Sequence, residues 1–292
     1  MYELIQATKN SYYIQSPAKI GIVKLTEREV CLIDSGNDKE AGKRVKKILD
    51  AQGWELKMIL NTHSNADHIG GNRYLQEQTG CAIYAPGIEC DFTAHPVLES
   101  AFLYGACPPA ELRHKFLLAP ESRVQPLTPD ILPDGIEIIP LPGHFFDMVG
   151  FRTAEGAVYL ADCLSGKETL EKYRIGFIYD VGAYLATLER VKTMQATVFI
   201  PSHAAPCEDI AELAQYNIDC VQQVAQDICA LCATPRCFES LLQALFNTYG
   251  LQLSFEQYAL VGSTVRSYLT WLKAEGRVSA RFEDNLLLWQ SC

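Results

Sequence analysis

The chain has 292 residues, with 25 basic against 35 acidic side chains and a net charge of −10. That length is enough to bury a sizeable core in one large domain or a domain and a half. No apolar run approaches the 18 or more residues needed to span a bilayer, and MYELIQATKN at the start carries no signal-peptide pattern, so a cytoplasmic protein with no membrane partner is predicted. Eleven cysteines are many, but the number is odd and the chain is not small, which favours free thiols over a disulfide framework.

In chain order, IGIVKL and EVCLIDSG are β-rich runs separated by a polar break at Thr26-Glu27-Arg28, the pattern of a hairpin. DKEAGKRVKKILDAQG carries an apolar stripe with a glycine stop at Gly53 and predicts a helix. LKMILNT is a short buried strand, Ala66 to Gly80 a helix, and CAIYAP the next strand. Residues 87–132 lack strong β signal. Within them ESAFLYGA and PAELRHKFLLA are predicted helices separated by Pro108-Pro109, and an insertion of this size inside a compact domain suggests a lid. IEIIPLPGH resumes the strands, VGFRTAEGAVYLADC reads as two strands around a Glu155-Gly156 turn, and the helix AYLATLERVKTMQ and strand ATVFIPSH close this part.

After Pro206 the pattern becomes helical: Ile210, Leu213, Val221, Val224, Ile228 and Leu231 recur at helical spacing, and Pro235 breaks the run. FESLLQALFNTYG and FEQYALVGSTVRSYLTWLKAEG predict two further helices, and RVSARFEDNLLLWQ a terminal hairpin, which together suggest a winged-helix-like module. From Cys207 to Cys292 ten acidic residues stand against five basic, a net of −5 and the wrong sign for phosphate contact, so nucleic acid is not an expected partner. The module is expected to cover the edge of a site or to form a homodimer.

Potential metal ligands fall at the ends of predicted strands. Residues 61–72 read NTHSNADHIGGN, placing His63, Asp67 and His68 around one short turn after LKMILNT. His144 follows IIPLPG, Asp162 ends VYLA and His203 ends VFIPS, so four of the six histidines of the chain lie at strand ends. Imidazole and carboxylate lone pairs converging in this way are what a divalent metal needs. His95 and His114 have no such partners and are expected at the surface. Cys229, Cys232 and Cys237, with Cys220 upstream, are better read as helix packing than as a cluster site. Cys163 should point away from its neighbour Asp162, because side chains alternate along a strand.

The order THxxxDH, then PGH, then a strand-ending Asp, then PSH, resembles the metallo-β-lactamase superfamily, with a glyoxalase II-like metallohydrolase as the nearer likeness. The resemblance implies an α/β fold, a four-layer αββα sandwich over residues 1–205 with the 87–132 lid inserted, followed by a smaller, mostly helical winged-helix-like domain at 206–292. It implies one metal held by His63, His144 and Asp162, and a second held by Asp67, His68, His203 and a bridging Asp162. The departure is Asn65, which stands where the family has another histidine. An amide oxygen is a poorer zinc ligand than imidazole, so Asn65 is expected to bind weakly or to bond a metal-bound water.

The implied function is hydrolysis of a small ester, thioester or lactone by metal-activated water, whose pKa falls from 15.7 to about 7 on zinc, with Asp67 orienting that water or taking its proton. The expected cofactor is one or two divalent ions, zinc first, with iron or manganese as the alternatives. The lid aromatics Phe92, Phe102, Tyr104 and Phe116 suggest an apolar or acyl group on a small-molecule substrate, although such residues also simply pack lids. Three rival readings stand beside this one. His63, His144 and Asp162 make a two-His-one-carboxylate set, as in mononuclear Fe(II) oxygenases of the persulfide dioxygenase kind. An RNA-cleaving hydrolase and a metal-free binding protein are the other two.

Overall fold

The computed structural model describes residues 2–292 and has a β-rich body with a helical C-terminal part. The first sheet contains β1 (Glu3–Gln6), β2 (Ser11–Gln15), β3 (Ile20–Lys24), β4 (Glu29–Ile33), β5 (Glu55–Leu60), β6 (Ala82–Ala85) and β7 (Gln125–Pro126), in that spatial order. Strands β1 to β4 pair antiparallel, and the remaining pairs are parallel. The second sheet has the order β11 (Val198–His203), β10 (Ala157–Ser165), β9 (Val149–Thr153), β8 (Ile136–Pro140).

Side-chain alternation assembles the layers. On β4, Val30 and Leu32 pack outward against Val45 and Leu49 of α1 (Lys39–Gln52) and Leu75 of α3 (Asn72–Thr79). Cys31 and Ile33 of the same strand turn inward and meet Phe151, Tyr159 and Ile200 of the second sheet. On β10, Tyr159 fills the space between the sheets, whereas Val158 and Leu160 pack outward with Leu188 and Val191 of α7 (Val181–Lys192). The result is the four-layer αββα sandwich expected from the sequence.

Differences from the sequence reading have local causes. Strands β1 and β2 precede the expected first hairpin, where SYYIQ alternates too weakly to stand out. The helix expected over Ala66 to Gly80 is two pieces, α2 (Ala66–Ile69) and α3. The break falls at Gly70-Gly71, because the 35–38 backbone presses there: a Cβ on Gly70 would overlap the Asn37 carbonyl, and one on Gly71 the Ser35 carbonyl. In the insertion, α4 (Glu89–Ala94) joins the expected α5 (Val97–Tyr104), but PAELRHKFLLA gives only a 3-10 turn at Ala110–Leu112. A short helix not read from the sequence, α6 (Lys167–Tyr173), lies between β10 and α7.

The C-terminal part is α8 (Ala211–Leu231), α9 (Phe238–Tyr249), α10 (Phe255–Ala274) and the hairpin β12 (Val278–Glu283) with β13 (Leu286–Ser291). Val221, Leu241, Val265 and Leu269 share one core cluster with Val158, Leu160 and Leu188, so these helices are anchored on the outer layer of the second sheet. Cys232 is buried in that cluster, as packing predicted, and all eleven cysteines are free thiols. No helix among the described residues is long and apolar enough to cross a membrane.

Candidate metal centre

The six predicted ligand residues come together at one edge of the sandwich. They form two sets whose ligand atoms lie within 4.8 Å of one another: His63, His144 and Asp162, and Asp67, His68, Asp162 and His203. Asp162 belongs to both. It lies within β10 rather than at its end, at a place where the pairing with β11 shifts register around Ala161, whose φ is +50°. Such a bulge redirects the following side chain. Asp162 faces the histidines, whereas Cys163 is buried in the helix-side core, as alternation required.

Three of the four histidines, His63, His68 and His203, are oriented through the ring nitrogen that faces away from the centre. Nδ1 of His63 pairs with Thr62 Oγ1 at 2.9 Å. Nδ1 of His68 lies 2.8 Å from Asp34 Oδ2, and that carboxylate also accepts from the Thr62 backbone N–H and hydroxyl at 2.8 and 2.7 Å. Nδ1 of His203 lies 3.2 Å from the Pro17 carbonyl. The Nε2 atoms therefore point inward. Those of His63 and His68, with Asp162 Oδ1, are buried and have no hydrogen-bond partner. His68 Nε2 and Asp162 Oδ1 are 3.0 Å apart yet not aligned as donor and acceptor, which is how two ligands of one cation sit. The donor set therefore fits a divalent metal.

The charges divide between the two sets. Burial, reinforced by His68, holds the pKa of His63 well below its ordinary value, and burial also lowers His144, so both are neutral, ligand-ready imidazoles. His203 behaves oppositely. Burial pulls its pKa down, but Asp162 and Asp67 overcome this and raise it to about 10. His68 is raised in the same way by Asp162, Asp67 and Asp34. Burial would raise Asp162 and Asp67, yet the facing imidazoles keep both carboxyls well below the usual range. Two carboxylates concentrated in one buried pocket thus call for positive charge.

Asn65 occupies the N-cap position of α2 but makes no capping bond with its side chain. Its Oδ1 lies 3.1 Å from His144 Nε2, and its Nδ2 donates to Glu99 Oε1 of the lid helix α5 at 2.8 Å. Glu99 is 4% exposed, its Oε2 has no partner, and burial pushes its pKa up to about 8. A second lid carboxylate, Glu89, accepts from the Ser64 backbone N–H and hydroxyl and from the Asp147 N–H. Neither glutamate stood out in the sequence; for Glu99 the available signal was an acid within the largely apolar VLESAFLY, and for Glu89, beside Asp91 in ECDFTA, there was none. Asp34 was visible only as the strand-ending acid of LIDSG.

Of the lid aromatics, Phe92 and Phe102 join Phe145, Phe146, Phe177 and Tyr179 in a cluster of ring contacts that touches His63 through Phe145 and His144 through Phe177. Tyr104 instead lines an open groove of about 700 Å³ between α5 and α10, with Arg266 and Trp271. Phe116 is 53% exposed and far from this role. A smaller cavity of about 50 Å³ lies directly against His144 and Asp162. His95 is exposed as expected, and His114 is half-buried beside Phe116.

The family model of the Metallo-beta-lactamase superfamily matches residues 10–203. A hydroxyacylglutathione hydrolase from Methylococcus capsulatus is 51% identical over 39 residues, covering 13% of this chain and 15% of its own length. Another from Erythrobacter litoralis is 41% identical over 58 residues, covering 20% and 22%. The chain thus spans only about a fifth of the length of these curated relatives. Among solved structures, a beta-lactamase domain protein from Burkholderia ambifaria superimposes with a TM-score of 0.75 at 16% identity, over 99% of this chain and 94% of that one. A metallo-beta-lactamase family protein from Thermus thermophilus gives 0.73 at 18% identity, over 98% and 100%. At such identities these two structures establish the fold.

Proposed function

The chain belongs to the metallo-beta-lactamase superfamily, and from that premise we propose that it is a metal-dependent hydrolase of a small thioester, ester or lactone. The observation that carries the reading is the shared carboxylate: Asp162 belongs to both ligand sets, as in a paired metal site. His63, His144 and Asp162 would hold one ion, and Asp67, His68, Asp162 and His203 the other. Zinc is the first candidate, with manganese and iron behind it. Bound there, a divalent ion supplies Lewis-acid polarisation of the substrate carbonyl and acidifies water.

The residues of the chain supply the rest. Asp67 is the more exposed of the two site carboxylates, with 34% of its side chain accessible against 9% for Asp162, and it remains ionised. It orients the attacking water and accepts its proton at a carboxylate oxygen. As the carbon–sulfur or carbon–oxygen bond breaks, that proton passes to the leaving thiolate or alkoxide. Phe145, Phe146, Phe177 and Tyr179 exclude water on one side and offer an apolar wall to an acyl group. The relatives named hydroxyacylglutathione hydrolase favour a thioester within this class. We read residues 206–292 as a winged-helix-like module that covers the edge of the site, in a cytoplasmic protein that acts on a small molecule.

A second reading has a specific observation behind it: the trio His63, His144 and Asp162 has the composition of a mononuclear Fe(II) oxygenase site. The deciding experiment follows thiol release from a panel of acyl thioesters. Hydrolysis should vanish on chelator treatment and return with zinc or manganese. Oxygen uptake with a persulfide, in iron-loaded protein that leaves thioesters intact, would give the site to the oxygenase.

A further inference from the structure

The exchange of histidine for asparagine at position 65 is coupled to a buried acid 34 residues away in the chain. We propose that Glu99 is a positioning residue for the metal centre, locking the Asn65 amide with its oxygen toward the His63, His144 and Asp162 set, so that Asn65 serves as an oxygen donor there. The inference rests on the metal-site reading above and adds to it the residue that makes the amide usable.

The geometry carries it. An amide has one face that donates and one that accepts, and the two are nearly isosteric. Free to rotate, Asn65 would present either Nδ2 or Oδ1 to the site, and an amide nitrogen cannot ligate a cation. Glu99 removes the choice. Its Oε1 lies 2.8 Å from Asn65 Nδ2 and accepts at that contact, any carboxyl proton being left to the unpartnered Oε2, so that Oδ1 faces His144 Nε2 at 3.1 Å. That nitrogen belongs to the first ligand set, so when His144 offers its lone pair to a cation, Oδ1 loses its hydrogen-bond donor and faces the same cation.

Apart from the Asn65 amide, the acid has only the backbone N–H of Ala66, at the start of α2, as a further polar neighbour. Oε2 of Glu99 is buried without a partner, and no other side chain donates to Oε1. A buried carboxyl left half-satisfied is an expensive arrangement for packing alone. Its helix, α5, belongs to the lid, so lid placement and donor orientation are joined. A set of two imidazoles, a carboxylate and an amide oxygen is also harder than one of three imidazoles, which narrows the preference for zinc over manganese or iron.

The test is a set of metal affinities, measured by chelator competition with Zn²⁺ alone and Mn²⁺ alone. Glu99→Leu matches the side chain in size and removes the acceptor; it should weaken the first position by roughly 10- to 100-fold. Glu99→Gln keeps an acceptor oxygen and should retain most of the affinity, whereas an effect of charge alone would be lost in both variants. In an Asn65→Leu background there is no amide to orient, so adding Glu99→Leu should cause no further loss. Loaded with Co²⁺, wild type and Glu99→Gln should share one visible spectrum, and Glu99→Leu should differ from it. The inference is overturned if Glu99→Leu binds as wild type does, or loses the same factor with and without Asn65. Failure of wild type to bind either ion would instead sink the metal-site reading, and the inference with it.

Discussion

Asp34 Oδ2 lies 2.8 Å from Nδ1 of His68, in a pair that is almost wholly buried, and Asp34 holds this place with a backbone φ of +63°. A left-handed conformation at a residue other than glycine is retained where the surroundings insist on it. Here the gain is orientation. The carboxylate binds both Thr62 and His68, so one buried acid fixes the loop that follows β5 and the ring that faces Asp162. The centre is thus built from β4 as much as from its ligands.

Asp34→Asn tests that arrangement without disturbing the backbone, because asparagine accepts the left-handed region readily. The amide must turn an N–H toward either Thr62 or His68, each of which already donates. Metal affinity should fall by roughly 10- to 100-fold, while the far-ultraviolet circular dichroism spectrum stays that of wild type. Unchanged affinity would mean that His68 is oriented by packing alone.

Asp162→Ala should remove more metal than any other single ligand change, because Asp162 belongs to both sets. Elemental mass spectrometry on protein purified without added metal should find about two ions per chain in wild type and almost none in the variant. Loss of only one ion would show that the two sets bind independently and that the carboxylate does not bridge them.

That His63, Asp67, His68, His144, Asp162 and His203 fall close together was legible because most of them follow an apolar run, although Asp162 lies inside β10 and Asp67 and His68 on α2. Glu99 and Asp34 were not legible as partners. Each acts across 34 positions of chain, through a tertiary approach of lid to loop or of β4 to α2, and no local period records that. The four layers followed from alternation on strands such as β4. The split of α2 from α3 was lost because Gly70-Gly71 reads as tolerable within a helix until the 35–38 backbone is seen lying against it. The lid was legible as an insertion but not in its parts, since PAELRHKFLLA has helical composition and yet packs as an irregular segment under α5.

Gly70→Ala follows from that contact. Gly70 has an ordinary φ of −61°, so the penalty is steric and not conformational: the methyl group would meet the backbone of Asn37 and Asp38. Overpacking of this kind costs typically about 1–3 kcal/mol. Gly250, with a φ of +64° and open space around it, provides the contrast, since alanine there meets only backbone strain. Thermal denaturation should show Gly70→Ala losing stability together with metal, because the 35–38 segment carries the neighbours of Asp34, whereas Gly250→Ala should lose stability alone. Equal metal affinity in both variants would uncouple this contact from the centre.

The charge state of His203 fixes how pH and metal interact. Burial alone would lower its pKa, but Asp162 and Asp67 raise it to about 10 from an ordinary 6.5, and His68 is raised by the same acids. A group whose pKa is higher in the folded than in the unfolded chain contributes stability in full below the unfolded value, and that contribution is lost as pH rises through the folded one. Chelator-stripped protein should therefore lose thermal stability progressively from about pH 6.5 towards pH 10. A cation bound by Asp67, His68, Asp162 and His203 takes over the positive charge and must displace those protons, because an imidazolium has no lone pair to give. Metal binding near pH 7 should then release protons, approaching about two per chain, with affinity rising as pH increases. Calorimetric titration in buffers of different ionisation enthalpy counts them directly. The loaded protein should show no decline between pH 6.5 and 10 from this source. Binding that released no protons, with a stability profile unchanged by metal, would place the ion away from His68 and His203.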